Sequence, residues 1–178
     1  MEQNNGHDRD TPAKIQRLIL ALGDPSIDIR HQSVETLGAI GEPAINPLIA
    51  ALAAAQDQDR RWYIAVSLSR IGVPAIKPLI TAMQKTPEKE FRRYAAAALG
   101  DMGEPAVDPV IDAMGSEDRE LRVFLSQALC RIGKPAVEPL SRRLSDADEI
   151  IKSCAFLTLW QMGETGLADI VKNVQADE

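Results

Sequence analysis

The sequence is short of aromatic residues, cysteine and histidine, and each shortage excludes something. Aromatics are only 4% of the 178 residues, so the core that a chain of this length can bury must be aliphatic. Ala, Leu and Ile supply it, which leans towards helices. Two cysteines, Cys130 and Cys154, are too few for a disulfide framework; free, buried thiols in a reducing compartment are expected. No apolar run is long. The longest, Leu48–Ala55, falls far short of the ~20 residues that a membrane span requires. Residues 1–10 (MEQNNGHDRD) carry neither the apolar stretch nor the cleavage site of a signal peptide. Together these features predict a cytoplasmic protein with no membrane partner. Positive charge is also in deficit: 20 Lys and Arg face 26 Asp and Glu, a net charge of −6. That balance argues against wrapping nucleic acid, and no nucleic-acid partner is expected.

What the sequence has in abundance is repetition. A glycine recurs at Gly41, Gly72, Gly103, Gly133 and Gly163. Two residues later stands Pro43, Pro74, Pro105 or Pro135, and four further on Pro47, Pro78, Pro109 or Pro139. The fifth copy breaks both columns with Thr165 and Asp169. Apolar columns keep the same register. Four before the glycine stand Leu37, Leu68, Leu99, Leu129 and Leu159. After it come triplets such as Ile45/Leu48/Leu52 and Val107/Val110/Met114. Spacings of three and four on both sides of the glycine mean two amphipathic helices per repeat. The glycine suits a left-handed cap ending one helix, and the first proline suits the first turn of the next. The second proline is expected to kink the start of that helix. Asp24, Thr86, Ser116 and Asp146, seventeen before the glycine, read as N-caps, with Asp57 substituting where Ala55 breaks the column. First helices are predicted near 12–22, 44–54, 75–85, 106–114 and 136–144, with a last one near 166–175. Second helices fall near 26–40, 58–71, 88–102, 118–132 and 148–162.

Such repeats cannot bury an apolar face alone, so they stack. The predicted organisation is a flexible tail over 1–10 and one solenoid over 11–176. Its five repeats lie at about 11–41, 42–72, 73–103, 104–133 and 134–163, followed by a capping helix within 164–176. The block FRRYAAAALGDMGEPAVDPV at 91–110 resembles the HEAT-like repeats of the phycobilisome-lyase type. That resemblance covers nearly the whole chain after residue 10 and implies an all-α, right-handed α-α superhelix.

Chemistry is hard to find. A basic column stands eleven before each glycine: Arg30, Arg61, Arg92, Arg122 and Lys152. Acids two residues earlier (Asp28, Asp59, Glu90 and Glu120) match four of the five. This pattern predicts an ion-pair ladder between neighbouring repeats, because phosphate binding needs an unpaired basic stripe. Some relatives of the repeat are iron-dependent hydroxylases whose His-Glu pairs follow this column. Here the slot reads His31-Gln32, Trp62-Tyr63, Arg93-Tyr94, Val123-Phe124 and Ser153-Cys154, and the other histidine, His7, lies in the tail. No ligand set converges, so no metal and no cofactor are expected. No nucleophile has a visible base partner, so no catalytic residue is assigned. The resemblance implies, as an alternative, a phycobilin-lyase-like accessory subunit acting on a chromophore protein. A helical-repeat nucleic-acid binder is a second alternative.

The resemblance also puts the second helices on the concave side. Their solvent-directed positions should be 10, 9, 6 and 2 before the glycine, complementary to the apolar columns. In the middle repeats these slots hold Trp62, Tyr63, Val66 and Arg70, then Arg93, Tyr94, Ala97 and Asp101, then Val123, Phe124, Gln127 and Arg131. Trp, Tyr and Arg are enriched at binding hot spots. Stacked helices ~8–10 Å apart would spread the rings over roughly 20 Å, with the arginines free to meet a partner's carboxylates and Asp101 as a lone acid. The reading is a non-enzymatic scaffold that binds another protein on its concave face. Because no metal holds this fold together, a chelator should leave the melting temperature unchanged, as differential scanning fluorimetry would show. A melting point lowered by several degrees would contradict it.

Overall fold

The computed structural model describes residues 7–163 and Gly166. Among them are ten α-helices and no strand. They form five pairs: α1 (His7–Ala21) with α2 (Ile27–Ile40), α3 (Ile45–Ala54) with α4 (Gln58–Ile71), α5 (Val73–Lys85) with α6 (Lys89–Met102), α7 (Val107–Ala113) with α8 (Arg119–Ile132), and α9 (Val137–Arg142) with α10 (Glu149–Gln161). Two compact units contain them, one running to Pro78 and the other from Leu79. The fold class is that of an α-solenoid: the described residues are paired helices joined by short turns, and the division between the units falls within α5. The second helices begin and end within a residue or so of their predicted bounds. The first helix starts earlier than expected, at His7, inside the segment read as a tail. The capping helix predicted near 166–175 lies outside the described residues. No single described helix is long and apolar enough to cross a membrane.

The apolar columns are the core. Leu37, Leu68, Leu99, Leu129 and Leu159 are all fully buried, as are Leu48, Leu79, Val110 and Leu140 from the first helices. Between helix pairs the chain turns at the repeat glycine, and here the structure corrects the expected cap. Gly41 has φ 74° and ψ −135°, a positive φ but far from the left-handed helical ψ. This is the mirror image of the extended region, which only glycine enters without strain. Its N–H still closes the helix, donating to the Leu37 carbonyl. Glu42–Ala44 then form one 3₁₀ turn before α3 begins, and the turns at 104–106 and 134–136 repeat it. In these three repeats the second proline, Pro47, Pro109 or Pro139, therefore sits in the first α-helical turn, where its missing N–H costs no bond, whereas Pro78 lies inside α5. In three repeats the change from 3₁₀ to α geometry takes the place of the expected kink.

The N-caps also differ from expectation. Asp57 caps α4 as expected, but the other caps stand two residues later, at Ser26, Glu88, Asp118 and Asp148. The residues predicted as caps support them instead. Asp24 Oδ1 accepts the Ser26 N–H at 2.8 Å, Ser116 Oγ the Asp118 N–H at 3.2 Å, and Asp146 Oδ1 the Asp148 N–H at 2.9 Å. These short bridges mimic a backbone turn and aim the true cap.

The basic column is structural, but its partners are not the column acids. Arg92 is 2% exposed, donates through Nε to the Met83 and Thr86 carbonyls, and pairs with Asp118 Oδ2 of the next repeat at 2.6 Å. Arg122 repeats the backbone contact, reaching the Ser116 carbonyl at 2.6 Å. Glu90 pairs instead with Arg93, and Glu120 with Lys89. Arg92 and Arg122 therefore tie the loops between their own two helices, and for Arg92 the N-cap acid Asp118 supplies a contact between repeats. Buried among carbonyls, Arg92 is unavailable as a phosphate contact.

Two outcomes follow. Leu99→Ala should cost ~2–5 kcal/mol through a cavity in the core, whereas Arg93→Ala, at an exposed ion pair, should shift stability by only a few tenths of a kcal/mol. Equal denaturant midpoints for the two would contradict the helix faces. The second concerns pH. The Arg92 guanidinium, aided by the Leu121 N–H, holds the Asp118 carboxyl below the usual carboxylate range. A depressed folded-state value means that the unfolded chain takes up the proton first. The stabilisation is therefore complete above about pH 4 and is lost as the pH falls through the folded-state value. Asp118→Asn keeps a capping oxygen but loses the charge. It should be about 1.5–3 kcal/mol less stable than wild type near neutral pH, and the gap should close in acid. A gap independent of pH would exclude this ion pair as its source.

Candidate functional site

In the first unit, Trp62 and Arg70 stand on α4 as predicted. Trp62 is 50% exposed and Val66 half-buried. Tyr63 is not a surface residue: it is 6% exposed. The Arg30 guanidinium lies 4.8 Å from its ring centre, His31 packs at 5.8 Å, and Trp62 meets it edge-on at 4.7 Å. The two preceding-helix side chains close over a ring that the column position alone would leave open. Arg70 is ion-paired with Glu35 across α2 and α4, and its stem lies where a side chain at Gly38 would be, 2.5 Å from a Cβ built there.

In the second unit, Arg93 is exposed and Tyr94 half-buried, with the guanidinium 5.0 Å from the ring centre and paired to Glu90 at 2.6 Å. Phe124 is half-buried and Gln127 exposed. Asp101 is no lone acid, because Arg131 pairs with it at 2.6 Å. The three arginines expected to await a partner's carboxylates are thus all engaged. These pairs are exposed, each worth at most about 1 kcal/mol, so they orient the side chains without locking them.

A further opening lies between α8 and α10, where Val123 is the one lining residue that the column positions of the middle repeats had placed on the open face. It is a groove of about 600 Å³. Val123, Leu157 and Trp160 wall it, at 48%, 62% and 61% exposed. Its polar lining is a chain of hydroxyls: Ser126 Oγ lies 2.9 Å from Thr158 Oγ1 and donates to Gln161 Oε1 at 2.9 Å. Arg119 and Arg122 flank it from α8, and Glu149 from α10. Cys154 lines it as well, but burial pushes the Cys154 thiol up against the opposing Arg122 guanidinium. Burial likewise raises Cys130, against its hydrogen bond with Ser126. Both are half-buried free thiols and neither is poised as a nucleophile.

Side-chain size explains why the groove opens here. Residues three before the repeat glycine are Gly38, Ser69, Gly100, Cys130 and Trp160. At Gly100 the Arg131 stem approaches so closely that a Cβ would lie 2.6 Å from it, and α8 settles on the Ala-rich α6. On α8 the corresponding residues are Ser126 and Cys130, with Cys130 Sγ 3.9 Å from Gln161 Oε1, and α10 packs less closely. One signal was present in the sequence. Leu157 occupies a solvent-directed slot that holds Glu35, Val66, Ala97 and Gln127 in earlier repeats, and Trp160 ends a column of small residues.

Paired helices repeated in register define the class of α-solenoid repeat proteins. The chain belongs to the HEAT repeat family: HEAT repeats match residues 6–69, 45–115 and 76–160. Nothing in that match is particular to the phycobilisome-lyase type. No curated protein matches the sequence. Among solved structures it is similar to an engineered protein from a structural genomics consortium, 17% identical over 92% of this chain and 86% of that one, TM-score 0.33. It is also similar to a designed armadillo repeat protein in complex with the peptide (KR)4, 16% identical over 89% and 90%, TM-score 0.31. A second designed armadillo repeat protein is 17% identical over 91% and 97%, TM-score 0.30.

Proposed function

We propose that the protein is a non-enzymatic scaffold that holds another protein against the open faces of its second helices. One observation carries this reading. Of the large apolar side chains exposed among the described residues, all but Leu20 and Val73 stand on second helices, with Trp62, Val123, Leu157 and Trp160 on the faces described above. Exposed apolar surface of this kind is unfavourable in water and is usually kept for a partner. The family supports the same reading, because stacked repeats present extended surfaces suited to protein partners. The contact residues we assign are Trp62, Val66 and Arg70 in the first unit, and Arg93, Tyr94, Asp101, Phe124, Gln127 and Arg131 in the second, to which the groove adds Leu157 and Trp160. Tyr63 is withdrawn to a supporting role beneath Trp62. The phycobilin-lyase-like and nucleic-acid alternatives have no observation in their favour.

The test is affinity capture from the native cell extract, followed by titration of the captured protein. Trp62→Ala, Tyr94→Ala and Trp160→Ala should weaken binding, with at least one costing about 2 kcal/mol or more. Lys77→Ala and Asp112→Ala, on first helices, should leave it unchanged. Loss of the partner in the first-helix variants and its retention in the aromatic ones would refute the assignment.

A further inference from the structure

We propose that the groove between α8 and α10 is the docking site for an acidic amphipathic helix of a partner protein. The inference deepens the scaffold reading and rests on it. Its first support is shape. Along α10 the lining runs from Glu149 to Gln161, a length of roughly 18 Å at 1.5 Å per residue. That is about three helical turns, open along its length and apolar on both walls through Val123, Leu157 and Trp160. A trough of this form accepts a helix that presents side chains at i, i+3, i+4 and i+7.

Charge supplies the second support. Three guanidiniums on second helices have carboxylate partners, Arg70 with Glu35, Arg92 with Asp118, and Arg131 with Asp101, while Arg30 stacks on the Tyr63 ring. Arg119 and Arg122, which flank the groove, have no carboxylate partner among the described residues. The contrast is sharpest at Arg122. One repeat earlier Arg92 clamps the next N-cap acid, Asp118, at 2.6 Å. The equivalent pair, Arg122 with Asp148, is not made, because α10 stands farther off. Arg122 turns instead to the Ser116 carbonyl and towards Cys154. The acid on the opposite wall, Glu149, is taken up by Lys152 at 3.4 Å. The groove therefore offers two cations, without carboxylate partners among the described residues, between apolar walls. The net charge of −6 does not oppose this, because charges beyond ~8 Å are screened at physiological salt.

The probes are two helical peptides of about 14 residues with leucines at the i, i+3, i+4, i+7 spacing, one carrying glutamates on its polar face and the other lysines. Binding to the full chain is read from Trp160 emission in a Trp62→Phe background. The glutamate peptide should bind and should weaken with added salt. Arg119→Glu should weaken it about tenfold or more, and Leu157→Asp should abolish it with helicity unchanged by circular dichroism. A preference for the lysine peptide overturns the acidic assignment and leaves the scaffold reading standing. Binding of neither peptide overturns the docking site itself, as does a dimer of the protein that Leu157→Asp splits, or binding that appears only after residues 164–178 are removed. The scaffold reading is decided separately, by the capture experiment.

Discussion

A helix pair of this size has one apolar stripe on each helix and no other means of burying either, so everything depends on reversing the chain within a few residues. The turn at the repeat glycine does this. Its φ near 75° with ψ near −135° is closed to side chains, and the 3₁₀ turn behind it delivers the first α-helical residue directly into the core. Ile45, Val107 and Val137 are that residue, and all are buried. A different residue at the glycine would change the exit direction of the chain, and the apolar stripes would no longer meet.

With the turn fixed, the remaining variable is how closely successive second helices approach. Glycine and alanine on α6 let Arg131 lie flat across it, and Arg92 locks the approach by reaching Asp118. Serine and cysteine on α8 prevent the same closeness, the lock is not made, and hydroxyl and amide groups span the interval. The groove and the unmade pair between Arg122 and Asp148 thus have one common origin, the size of two side chains on α8. The stabilising device of one repeat is relaxed in the next.

Much of this was legible because repetition averages out the ambiguity of any single segment. The five leucines four before the glycine are buried without exception. The caps were misplaced by two residues because Asp24 and Ser26, like Asp146 and Asp148, are both good capping types; only the point where the backbone turns helical separates them. The acid partners of the basic column were misassigned for a related reason. Constant sequence offset identifies acids on the same helix, whereas Arg92 finds its carboxylate on the next repeat. Tyr63 shares its column with Tyr94 and Phe124, yet it alone is covered, because Arg30 and His31 stand on the helix before it.

The sequence by itself determined the class of fold, the helix bounds and the core, since these follow from local periodicity and from residues that each repeat must keep in order to stack. It also marked second helices as the faces richest in aromatic and charged side chains. Only the tertiary structure decided which of those side chains are open, which arginines already hold a carboxylate, and where two helices stand far enough apart to leave a groove. Those properties depend on distances between residues some thirty positions apart, and such distances are set by the packed volume of the side chains between them.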